Sequence, residues 1–205
     1  MSSKFYAYTD KALKYLRRYY IRAFQNAAIL LRSDNLNVVS ISKELYADIS
    51  EETERVFRTV AKHKYREHCK EDFLVGMWLS GMLDKPNELT GYVWRNDIER
   101  KRQYFAESVL SGDAVEKAVK KALRYWYQSQ KQYADLITDA AALQAFSDSG
   151  TEFVQWCTAE DERVCTTCND RDGVIYPVKH VPAKPHYNCR CYFRRVKNVS
   201  ERNHG

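Results

Sequence analysis

Residues 156–168 read WCTAEDERVCTTC, and residues 185–191 read PHYNCRC. Five of the six cysteines of this 205-residue chain lie between Cys157 and Cys191. Two close cysteine pairs and one histidine mark this stretch: Cys165 and Cys168, Cys189 and Cys191, and His186. Thiolates and imidazoles arranged in pairs are the ligands that tetrahedral Zn²⁺ prefers in structural sites. The stretch therefore predicts a small module that is fastened by a structural zinc ion.

The pattern supplies five donors for the four coordination positions of zinc. The spacing of Cys165 and Cys168 is typical of a zinc knuckle, in which a tight turn presents both sulfurs to one ion. Residues two apart on a strand point to the same face, so Cys189 and Cys191 are one candidate for the second pair. Alternatively, His186 and Cys189 form that pair while Cys191 packs in the core. A cluster of core thiols without metal is the competing interpretation.

The composition fits a folded protein with one core and a small appended module. Hydrophobic residues make up 44% of the chain and aromatic residues 13%, which is enough apolar material to bury a core. No uncharged apolar run approaches the roughly 18 residues that cross a bilayer, and the N-terminus lacks the apolar segment of a signal peptide. These features predict a cytosolic protein without a membrane partner. In that reducing compartment, paired cysteines favour metal binding over disulfides.

Glycine and proline divide the chain into a helical part and a turn-rich part. Neither residue occurs before Gly76, and three of the four prolines fall at positions 177, 182 and 185. Apolar spacings of three and four predict five helices, over about 8–32, 38–70, 73–83, 92–110 and 114–148. Alternating patterns predict three strands, over about 151–156, 174–176 and 190–196.

The predicted fold is accordingly mainly α. An elongated helical body covers residues 1–150, a Cys-rich α+β or β-rich module covers residues 151–197, and a flexible tail covers residues 198–205. The segment 73–83 is apolar on all sides, which predicts that this helix is buried.

Local signals predict where two helices begin. Asp113 is expected to cap the last long helix, with Glu116 three residues later as the reciprocal acid of a capping box. The segment Ser50-Glu51-Glu52-Thr53 offers an alternative start inside the second helix, so that helix is either one long element or two.

The net charge of +6 is concentrated in the first helix. Residues 1–32 carry seven Lys or Arg and one Asp, and a smaller basic cluster surrounds Cys191. Clustered cations attract polyanions. Eight of these cations are candidates for contact with nucleic acid: Lys11, Lys14, Arg17, Arg18, Arg22, Arg190, Arg194 and Arg195. A solvated helix face is the alternative interpretation of the N-terminal cluster.

Catalysis is the other use of a Cys and His cluster. A treble-clef nuclease also joins two cysteine pairs and a histidine around metal, but it needs a histidine base and further ligands for a catalytic ion. His180 is the candidate base, and no acidic residue adjoins it in the sequence to orient the ring. The sequence thus predicts no enzyme activity, with an HNH-like metallonuclease as the weaker alternative.

A spaced series of residues carries a resemblance to a known family. Trp156 is followed by Asp161-x-Arg163-Val164-Cys165-x2-Cys168, then by Asp172-Gly173-x2-Tyr176, and then by Pro185-His186-x-Asn188-Cys189-Arg190-Cys191. This series resembles the C-terminal module of phage minor head proteins of the Mu F-like head morphogenesis family. Upstream, Gly91-Tyr92-Val93-Trp94 and the run Glu99-Arg100-Lys101-Arg102 resemble the helical region that precedes the module in that family.

The resemblance implies a minor capsid protein of a tailed phage or prophage, which acts in head assembly without catalysing a reaction. Such proteins associate with the portal protein, with capsid or scaffolding proteins, and with packaged double-stranded DNA. They are found in the virion head and, during assembly, in the host cytoplasm. Six residues of the series are expected to brace the module: Trp156, Asp161, Arg163, Asp172, Gly173 and Asn188. A zinc-dependent DNA-binding regulator is the alternative function.

Overall fold

The computed structural model describes residues 2–33, 37–159 and 164–196. Within these residues the α-helices are α1 Ser2–Phe5, α2 Ala7–Ser33, α3 Val38–Arg66, α4 Val75–Leu83, α5 Trp94–Leu110, α6 Val115–Asp148 and α7 Thr166–Asp170. The strands are β1 Phe153–Cys157, β2 Ile175–Pro177 and β3 Tyr192–Arg195, and a 3-10 turn covers Val178–His180. The predicted fold class, mainly α with a small Cys-rich C-terminal part, is confirmed. None of the described helices combines the length and the apolar character needed to cross a bilayer.

The helices α2, α3, α5 and α6 pack side by side around one hydrophobic core. Leu13, Leu16, Tyr20 and Phe24 recur every three or four residues, so α2 buries one face and leaves its charged face in solvent. Three contacts show that α2 runs antiparallel to α6: Arg32 with Glu116, Tyr20 with Trp126, and Thr9 with Thr138.

Aromatic side chains fill the middle of this core. The Trp126 ring is fully buried and meets the rings of Tyr20 and Tyr46 edge to face, with centroids 5.9 and 5.4 Å away. Phe24 meets Phe105 in the same way at 6.0 Å. Edge-to-face pairs add roughly 0.5–1.5 kcal/mol each beyond the burial of apolar area. These contacts hold α2, α3, α5 and α6 in one body.

The helix α3 is one continuous element without the break offered by Ser50 to Thr53. Thr53 is buried, donates a hydrogen bond to the carbonyl of Ile49, and lies 2.5 Å from the Tyr20 hydroxyl. Its hydroxyl is therefore satisfied inside the helix, and no new cap is needed. The helix ends at Arg66, four residues before the predicted end, and the amides of His68 and Cys69 both donate to the carbonyl of Tyr65 in the turn that follows.

The prediction that the apolar helix α4 is buried was wrong. Only Leu79 and Leu83 are buried, whereas Met77 is 70% exposed and the preceding Leu74 is 67% exposed. The helix packs mainly on α3, so only one of its faces meets the core. Hydrophobicity on all sides of a helix indicates burial only when the fold supplies neighbours on all sides.

The predicted capping box before α6 was also wrong. Ala114 occupies the cap position without a side-chain bond. Asp113 instead accepts a 2.6 Å hydrogen bond from Ser108 and pairs with Lys117 at 3.1 Å. Glu116 pairs with Arg32 of α2 at 2.6 Å. The amide of Asp113 donates to the carbonyl of Ser108, so Asp113 and Glu116 do not form the reciprocal bonds of a capping box.

The C-terminal sheet is antiparallel, with the strand order β2-β1-β3. Val154 and Trp156 are two residues apart on β1, so both point to the buried face. They share one hydrophobic cluster with Ala142 and Phe146 of α6. The small module is thus seated on the last turns of α6, which supply part of its core.

Two glycines make a matched test of backbone conformation. Gly150 ends α6 with a φ of +74°, and a Cβ there would meet no atom within 4 Å. Gly150→Ala should therefore destabilise the protein by about 1 kcal/mol through backbone strain alone. Gly81→Ala, in the open interior of α4, should stabilise it by about 0.5–1 kcal/mol. Urea unfolding measures both, and shifts in the same direction would contradict this account.

Candidate metal centre

The first cysteine pair lies at the start of the short helix α7. Cys165 is the cap residue of this helix, and its sulfur accepts a hydrogen bond of 3.4 Å from the backbone amide of Cys168. The turn therefore presents both sulfurs to the same side. The Cys168 thiol is 1% exposed, while Cys165 is half-buried.

The second pair reaches the same place from the segment before β3. The sulfur of Cys168 lies 3.5 Å from the sulfur of Cys189 and 3.4 Å from Nε2 of His186. A disulfide requires about 2.05 Å between sulfurs, and all six cysteines are free thiols. The fold thus brings together groups that are at least 18 residues apart in sequence without bonding them covalently.

The donor atoms form two groups that share Cys168. One group is Cys165, Cys168 and His186, and the other is Cys168, Cys189 and Cys191; within each group the atoms lie within 4.8 Å of one another. A tetrahedral zinc ion, with bonds of about 2.3 Å to sulfur and 2.0 Å to nitrogen, separates two sulfurs by about 3.8 Å and sulfur from nitrogen by about 3.5 Å. The observed separations are close to those values. The cluster could therefore hold a metal ion, and its thiol and imidazole donors suit zinc.

Hydrogen bonding among the thiols prepares one of them to lose its proton. A hydrogen bond from the Cys191 thiol lowers the pKa of Cys189 to about 5. Burial raises the pKa of Cys168 to about 12, and the bond to Cys189 raises the pKa of Cys191. A metal ion binds thiolates, so loading the cluster releases the protons that Cys168 and its neighbours otherwise keep.

His186 is oriented by its own backbone. Nδ1 lies 2.9 Å from the carbonyl oxygen of Tyr187, and because a carbonyl only accepts, Nδ1 carries the proton. This bond raises the pKa of His186. It leaves the Nε2 lone pair directed at the Cys168 sulfur. Metal-ligating histidines commonly donate their other N–H to a carbonyl in this manner.

Three of the residues expected to brace the module lie around β1. Trp156 is fully buried, with Phe193 at 5.3 Å between ring centroids and the Arg171 guanidinium over its ring at 5.1 Å. Asp172 accepts a 2.8 Å hydrogen bond from the amide of Thr158. Gly173 has a φ of +77°, which lets its amide donate to the carbonyl of Trp156 at 2.9 Å. These contacts connect the turn after α7 to the central strand.

Asn188 adopts a φ of +58° directly before Cys189, a conformation that asparagine tolerates better than most residues. Its side-chain oxygen accepts a 2.5 Å hydrogen bond from Lys131 of α6. Asn188 therefore shapes the turn before the second cysteine pair and holds it against α6. The two other expected bracing residues, Asp161 and Arg163, lie outside the described residues.

A buried polar network joins the module to the helical body. The Tyr6 hydroxyl donates to Asp139 at 2.6 Å and also contacts the carbonyl of Cys191 at 2.9 Å. Lys184 pairs with Asp139 at 2.6 Å and also contacts Tyr6. Sequence patterns did not single out Tyr6, Asp139 or Lys184, because the residues are far apart in the chain and match no motif.

A carboxylate at the edge of this network predicts a pH effect. Burial raises the pKa of Asp135 to about 6, since its nearest cations, Lys131 and Arg190, lie at 3.9 Å. A raised pKa in the folded state means that the contribution to stability is present below pH 4 and is lost as the pH rises through 6. The stability of Asp135→Asn relative to wild type should therefore rise by up to about 3 kcal/mol as the pH increases from 4 to above 6.

Urea unfolding of wild type and Asp135→Asn at several pH values tests this, because metal loss in acid affects both proteins alike. A difference that is constant between pH 4 and pH 7 would show that Asp135 does not titrate as proposed.

The eight candidate cations separate into two sets. The five on α2 are exposed: Lys11, Lys14, Arg17, Arg18 and Arg22. The other three bind groups within the fold. Arg190 makes a two-pronged contact with Asp10 at 2.9 and 3.2 Å, Arg194 donates to Gln155 at 2.5 Å, and Arg195 donates to Ser149 at 2.8 Å. The side chains of this second set are thus engaged with the module and its attachment to the body.

The site combines a cluster suited to metal with a module that is fixed to α6 by apolar and ionic contacts. No protein-family model, curated protein or solved structure matches the chain.

Proposed function

We propose that the chain is a non-catalytic structural protein of tailed-phage head assembly, in which a zinc ion fastens the C-terminal module. The observation that supports this most is the convergence of the spaced Cys and His residues into one cluster. That series is the part of the chain that resembles the Mu F-like minor head proteins.

A structural role for the ion is supported by the burial of the donors. Cys168 and Cys189, two of the proposed ligands, are 1% and 4% exposed and belong to the same hydrophobic cluster as Trp156, while the other two, Cys165 and His186, are half-buried. A catalytic zinc ion keeps one coordination position open to substrate, whereas a structural zinc ion is closed by four protein ligands. A small module with few core residues gains much of its stability from such an ion.

We assign the four ligands to Cys165, Cys168, Cys189 and His186. The hydrogen bond from Nδ1 of His186 to Tyr187 supports this choice, because it fixes Nε2 as the donor atom toward Cys168. Cys191 then packs as a small apolar side chain at the start of β3.

The proposed partners are the portal protein, capsid or scaffolding proteins, and packaged double-stranded DNA, in the virion head and in the host cytoplasm during assembly. The test is purification of procapsids and mature particles from induced cells that carry a tagged copy of the chain. The tagged chain should appear at low copy in both particles and should co-purify with the portal. Its absence from both particles, with the protein present and folded in the lysate, would remove the proposal.

A DNA-binding regulator is the second candidate, and the exposed cations of α2 favour it. Selection from random duplexes separates the two functions, because a regulator enriches one sequence and a head protein enriches none. A metallonuclease is the third candidate. His180 lies exposed in the turn Val178–His180, and the clusters able to bind metal in the described residues all involve Cys168. Cleavage of plasmid DNA by purified protein with added Mg²⁺ or Mn²⁺ would support it against the other two.

A further inference from the structure

A cationic groove lies at the surface between α2 and α6. Its walls carry five basic side chains: Arg17 from α2, and Lys117, Lys120, Lys121 and Arg124 from α6. Sequence patterns identified the cations of α2 but not those of α6, because the two helices meet only in the fold. The antiparallel packing of α2 on α6 places Arg17 beside the cations of α6.

The cations of α6 form a regular row. Lys117, Lys120, Lys121 and Arg124 are spaced by three, four and seven residues, which places them on one face of the helix. At 1.5 Å per residue this row extends about 10 Å. Each strand of a duplex carries one phosphate per 3.4 Å or so of helix axis, so a row of this length is long enough to face more than one phosphate.

The charge of the groove is largely available to a ligand. Of its five cations, Lys117 has an ion pair, with Asp113 at 3.1 Å. Arg17 lies 5.7 Å from the ring centroid of Tyr127, which lines the groove, and Lys121 and Arg124 lie 4.6 and 5.3 Å from the ring centroids of Tyr104 and Tyr125, which do not. Contacts with ring faces orient a cation without neutralising it.

Apart from Asp113, two acids on the same helices are committed to cations outside the groove. Asp10 at the start of α2 binds Arg190, and Glu116 at the start of α6 binds Arg32. The groove is therefore a region of net positive charge between two rigid helices.

We propose that this groove binds the phosphodiester backbone of nucleic acid without reading its sequence. The ligand class follows from the shape and chemistry of the groove: a linear row of ammonium and guanidinium groups suits a linear polyanion with regularly spaced charges. An anionic membrane is a poorer match. Helices that lie on membranes insert exposed apolar side chains, whereas Ile21 and Leu123 in the groove are half-buried.

The groove is the surface that would contact packaged DNA, and this role rests on the proposed function. Its binding chemistry is nevertheless testable in the purified protein. If the groove binds DNA but the chain is absent from procapsids, the head-assembly role falls and the groove stands. If the chain is in procapsids but substitutions in the groove leave its DNA binding unchanged, the groove proposal falls and the head-assembly role stands.

The experiment measures binding of full-length protein to random-sequence duplex and single-stranded DNA of equal length, by fluorescence anisotropy from about 50 to 200 mM salt. The groove variant is Lys120→Gln/Lys121→Gln/Arg124→Gln. Its matched control is Lys62→Gln/Arg66→Gln/Lys70→Gln, which removes three exposed cations that do not line the groove. Circular dichroism melting confirms that both variants fold.

Wild type should bind with a steep loss of affinity as salt rises. The groove variant should lose at least about tenfold in affinity at low salt, and its slope of log K against log salt should fall by about three, while the control keeps the slope of wild type. The two DNA probes show which form of the backbone is preferred. Equal weakening of both variants, or binding to polyglutamate or phosphatidylserine vesicles as tight as to DNA, would overturn the proposal.

Discussion

Cys168→Ser is expected to abolish zinc binding and to unfold the C-terminal module. Cys168 is the donor shared by both groups of candidate ligands, and its sulfur contacts both Cys189 and His186. Apparent free energies of zinc binding in small structural sites are about 10–16 kcal/mol. Loss of a central thiolate should therefore remove more folding free energy than the hydrophobic core of the module contributes. Zinc content by elemental analysis should fall from about one ion per chain to none.

Unfolding of the module should be visible as rapid proteolysis after Gly150, while the helical signal of α2, α3 and α6 persists. Cys157→Ser is the matched control, because Cys157 lies on β1 of the same module and belongs to neither donor group. The control should keep its zinc. The zinc assignment itself would be contradicted if the wild-type protein were purified without metal and took up no zinc on reconstitution.

The ligand assignment separates two further variants. Cys191→Ser should retain zinc, since Cys191 is assigned to packing, whereas His186→Ala should lose most of its affinity. Cobalt substitution of the wild type provides an independent measurement, because three thiolates and one imidazole give weaker sulfur-to-metal absorption than four thiolates. Zinc retained by His186→Ala and lost by Cys191→Ser would show that the site consists of four thiols.

The helical part of the fold could be predicted because its pattern is local. The spacing of Leu13, Leu16 and Tyr20 predicts the buried face of α2. A helix also needs only its own residues to form its backbone hydrogen bonds. The same logic failed for α4, whose apolar residues include the 70% exposed Met77. Periodicity describes what a helix is able to bury, and the neighbours that cover it are set by the tertiary fold.

The ligands of the candidate site were predictable for a similar reason. The spacing of Cys165 and Cys168 defines a turn, and the turn alone brings the two sulfurs together. The attachment of the module was not predictable. Tyr6 contacts Asp139 and Cys191, which are 133 and 185 residues away, and a single sequence holds no signal for such pairs. The cationic groove was not predictable either, because four of its five cations lie on α6 and the sequence does not show which helix packs beside α6.

The ion pair between Lys184 and Asp139 is another contact that joins the module to the helical body. The two side chains are 14% and 9% exposed, and the amino group also contacts the Tyr6 hydroxyl. Lys184→Met should destabilise the protein by about 3–5 kcal/mol, because it leaves the Asp139 carboxylate buried without its cation. Burial already raises the pKa of Asp139, so the loss should shrink as the pH falls and the carboxyl group takes up a proton.

The double variant Asp139→Asn/Lys184→Met is the matched comparison, since it removes both charges and leaves no buried ion. It should recover most of the lost stability, because a buried ion pair contributes little beyond the cost of burying its two charges. Urea unfolding of the wild type, both single variants and the double variant gives the coupling energy. Lys184 precedes His186 by two residues, so Lys184→Met should also weaken zinc binding, and the double variant should restore it in part. If Lys184→Met and the double variant were equally unstable, Lys184 would act through the packing of its alkyl chain. That result would contradict an ionic connection between module and body.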